Sequence, residues 1–203
     1  MGCRLDQDLI DKAVDFHGHW CPGLAIGLRA GEWALCEMGR AGDEDIVAVV
    51  ETDMCGVDAI QVLTGCTFGK GNLIHRDYGK MAFTFHRRRD GKSARLVFDS
   101  DGLGGGVNDH YLELTRKMAA GETTDEEEAE IREFREGWTQ KIMNAELTEA
   151  FEIKEAGPVP RPARILASLQ CGACGERTME SRTHQLMGRT LCRPCFEKLE
   201  QRV

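Results

Sequence analysis

Two imidazoles and a thiol fall within five residues in Phe16-His17-Gly18-His19-Trp20-Cys21-Pro22-Gly23. Nitrogen and thiolate donors of this kind are what zinc and other late transition metals select. Pro22-Gly23 punctuates the chain and an apolar helical pattern resumes at Leu24, so the three donors occupy a turn ahead of a helix N-terminus. Unpaired N–H groups and the positive dipole end there favour a thiolate at Cys21. The expectation is a metal or thiolate site.

Two later loops carry the same residue types. The β-branched run Ile46-Val47-Ala48-Val49-Val50-Glu51 reads as a buried strand and ends in Thr52-Asp53-Met54-Cys55-Gly56. A ligand-capable Asp53 and Cys55 at a strand's end is where open α/β sheets place their sites. Residues 57–63 have helical periodicity, which puts Cys55 at a second helix N-terminus, again a position expected to lower a thiol pKa. The third loop, Thr64-Gly65-Cys66-Thr67-Phe68-Gly69-Lys70-Gly71-Asn72, offers Cys66, Lys70 and a glycine-rich backbone nest for an anion. It is no Walker loop, because Lys70 is followed by Gly71.

The tail carries the most specific motif. Cys171-Gly172-Ala173-Cys174 and Cys192-Arg193-Pro194-Cys195 are two CxxC knuckles separated by 17 residues. Four thiolates so spaced close a tetrahedron around zinc. About 40 residues cannot fold on apolar burial alone, so the metal supplies the folding free energy. A helix continuing through Glu197-Lys198-Leu199 points to a treble-clef arrangement.

The elements that must position these loops follow from periodicity. Residues 6–15 and 24–38 read as helices, Cys36 on the second being expected as a small buried hydrophobe. Residues 80–86 and 93–98 read as strands joined through the turn signal Asp90-Gly91, with Arg87, Arg88 and Arg89 as a solvated tip. The acidic loop over 99–106 lacks the spacing and closing Glu of an EF-hand. Residues 108–119 and a stretch opening at Thr124 read as helices, the latter with a stripe of Ile131, Phe134, Trp138 and Ile142. Residues 151–154 alternate as a last strand before the stiff linker Gly157-Pro158-Val159-Pro160-Arg161-Pro162.

Charge marks the same boundary. From Arg161 onward there are eight Lys/Arg against four Asp/Glu, a net of +4; the rest carries 18 against 30, a net of −12. The overall −8 argues against a general nucleic-acid binder, and the basic tail has a single aromatic, Phe196. The start Met1-Gly2-Cys3-Arg4-Leu5-Asp6 shows neither an apolar signal region nor a myristoylation pattern, and no apolar run approaches a membrane span. Nine cysteines, an odd number at metal-like spacings, then fit thiols kept for chemistry in a reducing cytoplasm.

Taken jointly, His17-Gly18-His19-x-Cys21-Pro22-Gly23, Asp53-x-Cys55-x-x-Asp58-Ala59-Ile60-Gln61 and Thr64-Gly65-Cys66-Thr67-x-Gly69-Lys70-Gly71-Asn72 resemble the FmdE family, named for the E subunit of formylmethanofuran dehydrogenase, over residues 10–155. The resemblance implies an α+β fold with a thioredoxin-like mixed β-sheet flanked by helices, a homodimer, and a metal-capable pocket built from the three loops. Some relatives carry a C-terminal treble-clef zinc finger, which the tail here resembles. Carried over by position, the pocket residues are His19, Cys21 and Cys55 first, then His17, Asp53 and Cys66. The family's association with a molybdenum or tungsten enzyme that interconverts CO2 and formylmethanofuran implies the subunits of such an enzyme as partners.

The expected organisation is therefore residues 1–157 as the main domain, 158–166 as linker and 167–203 as a four-cysteine zinc finger. Two functions compete. In the first, an oxidoreductase-associated accessory protein holds zinc or another transition metal through His19, Cys21 and Cys55, with an open coordination position and Lys70 beside an anionic ligand. A metal-free variant has Cys21 and Cys55 exchanging as low-pKa thiols. In the second, the zinc finger docks through Arg177, Arg182, Arg189 and Arg193 on an acidic protein partner.

Overall fold

Alternation along residues 46–50 sends Ile46, Ala48 and Val50 to one face of a strand, where all three are buried in the main core. That strand is the hub of the fold. In the computed structural model, which describes residues 2–201, strand β1 (Ile46–Val50) pairs in parallel with β2 (Leu73–His75) and antiparallel with β3 (Ala82–Arg87). Strands β4 (Ser93–Phe98) and β5 (Phe151–Lys154) extend the mixed sheet to the order β2-β1-β3-β4-β5. Phe83, Phe85, Ala94, Leu96 and Phe151 carry the apolar face across it.

Helices cover that face. They are α1 (Gln7–His17), α2 (Pro22–Met38), α3 (Gly56–Thr64) and, beyond α4 (Asp109–Ala120), α5 (Asp125–Asn144), followed by the single turn α6 (Leu147–Ala150). Helix α2 is buried nearly all round: Leu24, Ala25, Leu28 and Ala30 have no exposed surface. Arg29 is buried with them; its two terminal nitrogens bind Glu32 and the Ala145 carbonyl 2.7 Å away, while its Nε has no partner. Helix α5 opens on a capping box between Thr124 and Glu127, with four acids in its first turn where the dipole favours them. Ile131 and Ile142 of its apolar stripe are buried.

Helices α2 and α3 meet backbone to backbone. A Cβ built on Gly27 would stand 2.1 Å from the Gly56 carbonyl oxygen, so only hydrogen fits there. One turn earlier, a Cβ on Gly23 would stand 3.1 Å from Cys55 Cβ. The two helices therefore begin side by side, each preceded by a cysteine.

The chain divides into two compact units, one through Pro162 and one from Ala163. The second holds two hairpins, β6 (Ser168–Gln170) with β7 (Arg177–Met179) and β8 (Thr183–Leu186) with β9 (Arg189–Cys192), then helix α7 (Arg193–Glu200). Of the tail arginines in the charge count, Arg202 lies outside the described residues.

Two expectations are corrected, and one strand is added. Cys36 is exposed, on the outer side of α2. Arg87 and Arg88 are half-buried anchors and not a solvated tip: Arg87 binds Asp90 and the Glu37 and Met38 carbonyls, and Arg88 binds the Glu44 and Pro160 carbonyls. Strand β2 was not anticipated, because its three residues carry too little alternation to register as a strand.

Candidate metal centres

Helix α1 ends at Gly18, whose left-handed φ of 93° lets its N–H reach the Val14 carbonyl and turns the chain sharply. His17 thus sits on the last helical turn, His19 in the connection, and Cys21 at the N-cap of α2 with Pro22 behind it. The Cys21 Sγ accepts the Leu24 N–H at 3.4 Å, so the thiol caps the helix. His17 Nε2 lies 3.8 Å from the same sulfur, and the His17 and His19 rings approach to 4.5 Å between centroids.

One donor atom from each of His17, His19 and Cys21 lies within 4.8 Å of the others. Tetrahedral bond lengths to zinc of about 2.05 Å (N) and 2.3 Å (S) require the two donors to be about 3.6 Å apart. The 3.8 Å between His17 Nε2 and Cys21 Sγ is near that spacing, so the residues fit a metal. His17 is oriented from behind: its Nδ1 pairs with Asp58 Oδ2 at 2.7 Å, which leaves Nε2 facing the cluster. Asp58 belongs to the first turn of α3. It stands in the second sequence motif, but nothing in one sequence pairs it with a histidine 41 residues earlier.

Cys55, expected as a ligand, stands beside this group and outside it, at the N-cap of α3. The geometry at Gly23 brings both sulfurs to one spot: its absent Cβ would lie 3.5 Å from Cys55 Sγ and 4.0 Å from Cys21 Sγ. The helix terminus does not make Cys55 acidic. Burial, and then the neighbouring Cys21, push its thiol up from the ordinary value. In the absence of a cation Cys55 is a neutral thiol; a bound metal reverses that balance by supplying the opposite charge.

The remaining expected residues separate. Asp53 lines a cavity of about 490 Å³ beside the cluster, together with His17, Cys55, Asp58, Gln61 and Phe68. Cys66 lies apart from the donor group, fully buried, with its S–H donating to the Ile46 carbonyl at 3.5 Å. Burial pushes its thiol up as well. Phe68, and not Lys70, is the residue of the glycine-rich loop that lines the cavity. The half-buried Lys70 has its backbone N–H held by Thr67 at the turn.

In the tail, one donor atom from each of Cys171, Cys174, Cys192 and Cys195 lies within 4.8 Å of the others. Cys174 and Cys192 sulfurs are 3.9 Å apart, against about 3.8 Å for two thiolates on one tetrahedral zinc. The knuckle is made by Gly175, whose φ of 79° lets its N–H return to the Cys171 carbonyl. Cys171 Sγ accepts backbone N–H bonds from Ala173 and Cys192. Backbone N–H groups, that of Cys174 foremost, hold its thiol down to about 6, whereas the crowding sulfurs push Cys195 up to about 12. The apolar support is small: Cys171, Leu191 and Cys192 are buried, with Leu186, Cys195 and Phe196 packed on them.

The family described as FmdE, Molybdenum formylmethanofuran dehydrogenase operon, matches residues 16–152. A curated relative from Archaeoglobus fulgidus, named a probable S-adenosyl-L-methionine-binding protein, is 36% identical over an alignment of 183 residues that covers 86% of this chain and 50% of the relative. The chain thus spans about half the length of that relative. The crystal structure of a tungsten formylmethanofuran dehydrogenase FmdE-like protein from Syntrophus aciditrophicus matches with a TM-score of 0.59 at 23% identity. The match covers 93% of this chain and 90% of that one, and it shows the shared fold. No helix among the described residues is long and apolar enough to cross a membrane.

Proposed function

This chain belongs to the FmdE family, and from that membership we propose that it is a metal-dependent accessory protein of one-carbon redox metabolism. In this reading the main unit binds zinc or a similar late transition metal through His17 Nε2, His19 and Cys21, with Cys55 beside them. The bound metal supplies Lewis acidity at an open coordination position. The observation that carries the reading is the pairing of a three-donor cluster with a carboxylate that fixes one of its imidazoles. Metal ligands need such outer support, and a chance group of polar side chains does not.

Roles follow from position. Cys21 presents sulfur to the metal, and Cys55 presents sulfur to whatever occupies the cavity of about 490 Å³. Val50, Met54, Val57 and Phe68 give that cavity apolar walls, and Asp53, Gln61 and His75 give it polar ones. Its size suits an organic cofactor or substrate, in keeping with the name of the Archaeoglobus relative. Lys70, two residues beyond the cavity-lining Phe68, is the cation assigned to steady an anionic group. The tail is read as a treble-clef domain with a structural zinc, because one knuckle falls within its first hairpin and the second starts α7. Its exposed arginines suit an acidic protein partner from a dehydrogenase complex, and a cytoplasmic homodimer completes the proposal.

Metal analysis of the full-length chain and of Cys21→Ser, Cys192→Ser and the double variant tests the reading. Two metals per chain are expected in the first, one in each single variant and none in the double. A metal content that Cys21→Ser leaves unchanged overturns the main-unit site.

A further inference from the structure

We propose that the sheet face turned away from the His/Cys centre carries a second binding pocket, which takes the anionic head, carboxylate or phosphate, of a small organic ligand. Strand alternation builds it. Where Val50, Phe83, Phe85 and Leu96 face the helices, Val49, Glu51, Thr84, His86 and Arg95 face the other way. Arg76 and Tyr78 close one side and the extended segment with Pro158 and Pro160 closes another, around about 340 Å³.

The decisive group is His86. It is 2% exposed, and its Nδ1 has no hydrogen-bond partner. A buried ring nitrogen without a partner is destabilising, so it calls for an explanation. Burial and the nearby Arg88 push the imidazole down, and a neutral imidazole carries one ring N–H, which a small turn of the ring would offer to an oxyanion in the pocket it lines. The surrounding charge favours one. Arg95 is neutralised by a two-pronged bond to Glu51 at 2.6 and 2.7 Å. Arg88 spends its donors on the Glu44 and Pro160 carbonyls, which leave its charge in place. Arg76 makes no ion pair among the described residues. Positive charge is therefore in excess here, within a segment of net −12. Guanidinium forks match carboxylate and phosphate oxygens. The space exceeds what a bare inorganic anion fills, and the Tyr78 ring and Pro158 offer an apolar wall for an organic body.

The test follows the His86 ring resonances of labelled full-length protein during titration with inorganic phosphate and, separately, with benzoate, against chloride at matched ionic strength. Arg76 is exposed, so Arg76→Gln leaves the fold intact. A saturable His86 shift is expected with at least one probe, the tighter probe naming the head group. Arg76→Gln is expected to weaken it about tenfold or more. Signals of His17 and His19 should stay in place. A His86 resonance that moves with neither probe, that moves equally with chloride, or that responds equally in Arg76→Gln overturns the proposal.

Discussion

His17 and Asp58 stand 41 residues apart in sequence, and their Nδ1 and Oδ2 atoms stand 2.7 Å apart in the fold. The bond ties the end of α1 to the first turn of α3 and turns the free nitrogen of His17 toward Cys21. If His17 is a ligand, Asp58 is the group that sets its tautomer. Replacing the carboxylate by an amide keeps the shape and removes the charge. Asp58→Asn is expected to weaken metal binding in the main unit about 10- to 100-fold, read by competition with a chromophoric chelator. The far-UV circular dichroism should not change.

The crossing of α2 and α3 gives a second prediction. Alanine ordinarily stabilises a helix interior by about 1 kcal/mol relative to glycine. At Gly27 the added methyl would meet the Gly56 backbone at 2.1 Å, so the sign reverses. Gly27→Ala is expected to destabilise the chain by about 3 kcal/mol, a drop of roughly 6–12 °C in Tm by calorimetry. An unchanged or raised Tm would show that the helices separate freely.

Acid should expose the Glu51–Arg95 pair. The Arg95 hydrogen bonds hold the buried Glu51 carboxyl below its ordinary value of 4.5. A depressed folded-state pKa contributes stability that is full above the unfolded value and fades as pH falls through the folded one. Urea unfolding should find Arg95→Gln less stable than the parent by about 2 kcal/mol at pH 7. The gap should begin to narrow as pH falls below 4.5 and close beneath the depressed folded value. A gap that persists in acid would mean Arg95 acts through packing.

The two units should respond differently to chelation. Among the described residues of the tail only three form its buried core, too few to hold about 40 residues together without a metal. A strong chelator is expected to collapse the dispersed amide signals of Leu191 and Phe196 in NMR spectra. Those of Leu28 and Phe85, which rest in the large core, should persist. Loss of both sets at once would make the main unit metal-dependent for folding too.

Why the sequence revealed some of this and not the rest is a matter of distance along the chain. The tail cysteines are legible because each knuckle is local and its turn residues mark the bend. The His17, His19, Cys21 group is legible for the same reason. Helices α2 and α5 announce themselves through long apolar periodicity. Cys66 shows the limit: its neighbours in sequence resemble those of Cys55, yet Thr64 and Asn72 turn its loop so that the sulfur points to the Ile46 carbonyl. Which way a loop side chain turns depends on partners brought by other strands. The Asp58 contact and the unpartnered nitrogen of His86 are likewise products of tertiary packing, invisible in a linear pattern.

The bond from the Leu24 N–H to Cys21 Sγ has one more consequence. The atom that faces the histidines is also the acceptor that holds the first turn of α2. Solvent exchange at the Leu24 amide is therefore a native gauge of the state of that sulfur. A thiolate, a metal-bound sulfur and an oxidised sulfur accept the bond with different strength, so each would leave its own protection factor. Hydrogen–deuterium exchange at this one amide would report the chemistry of the centre without a label or a mutation.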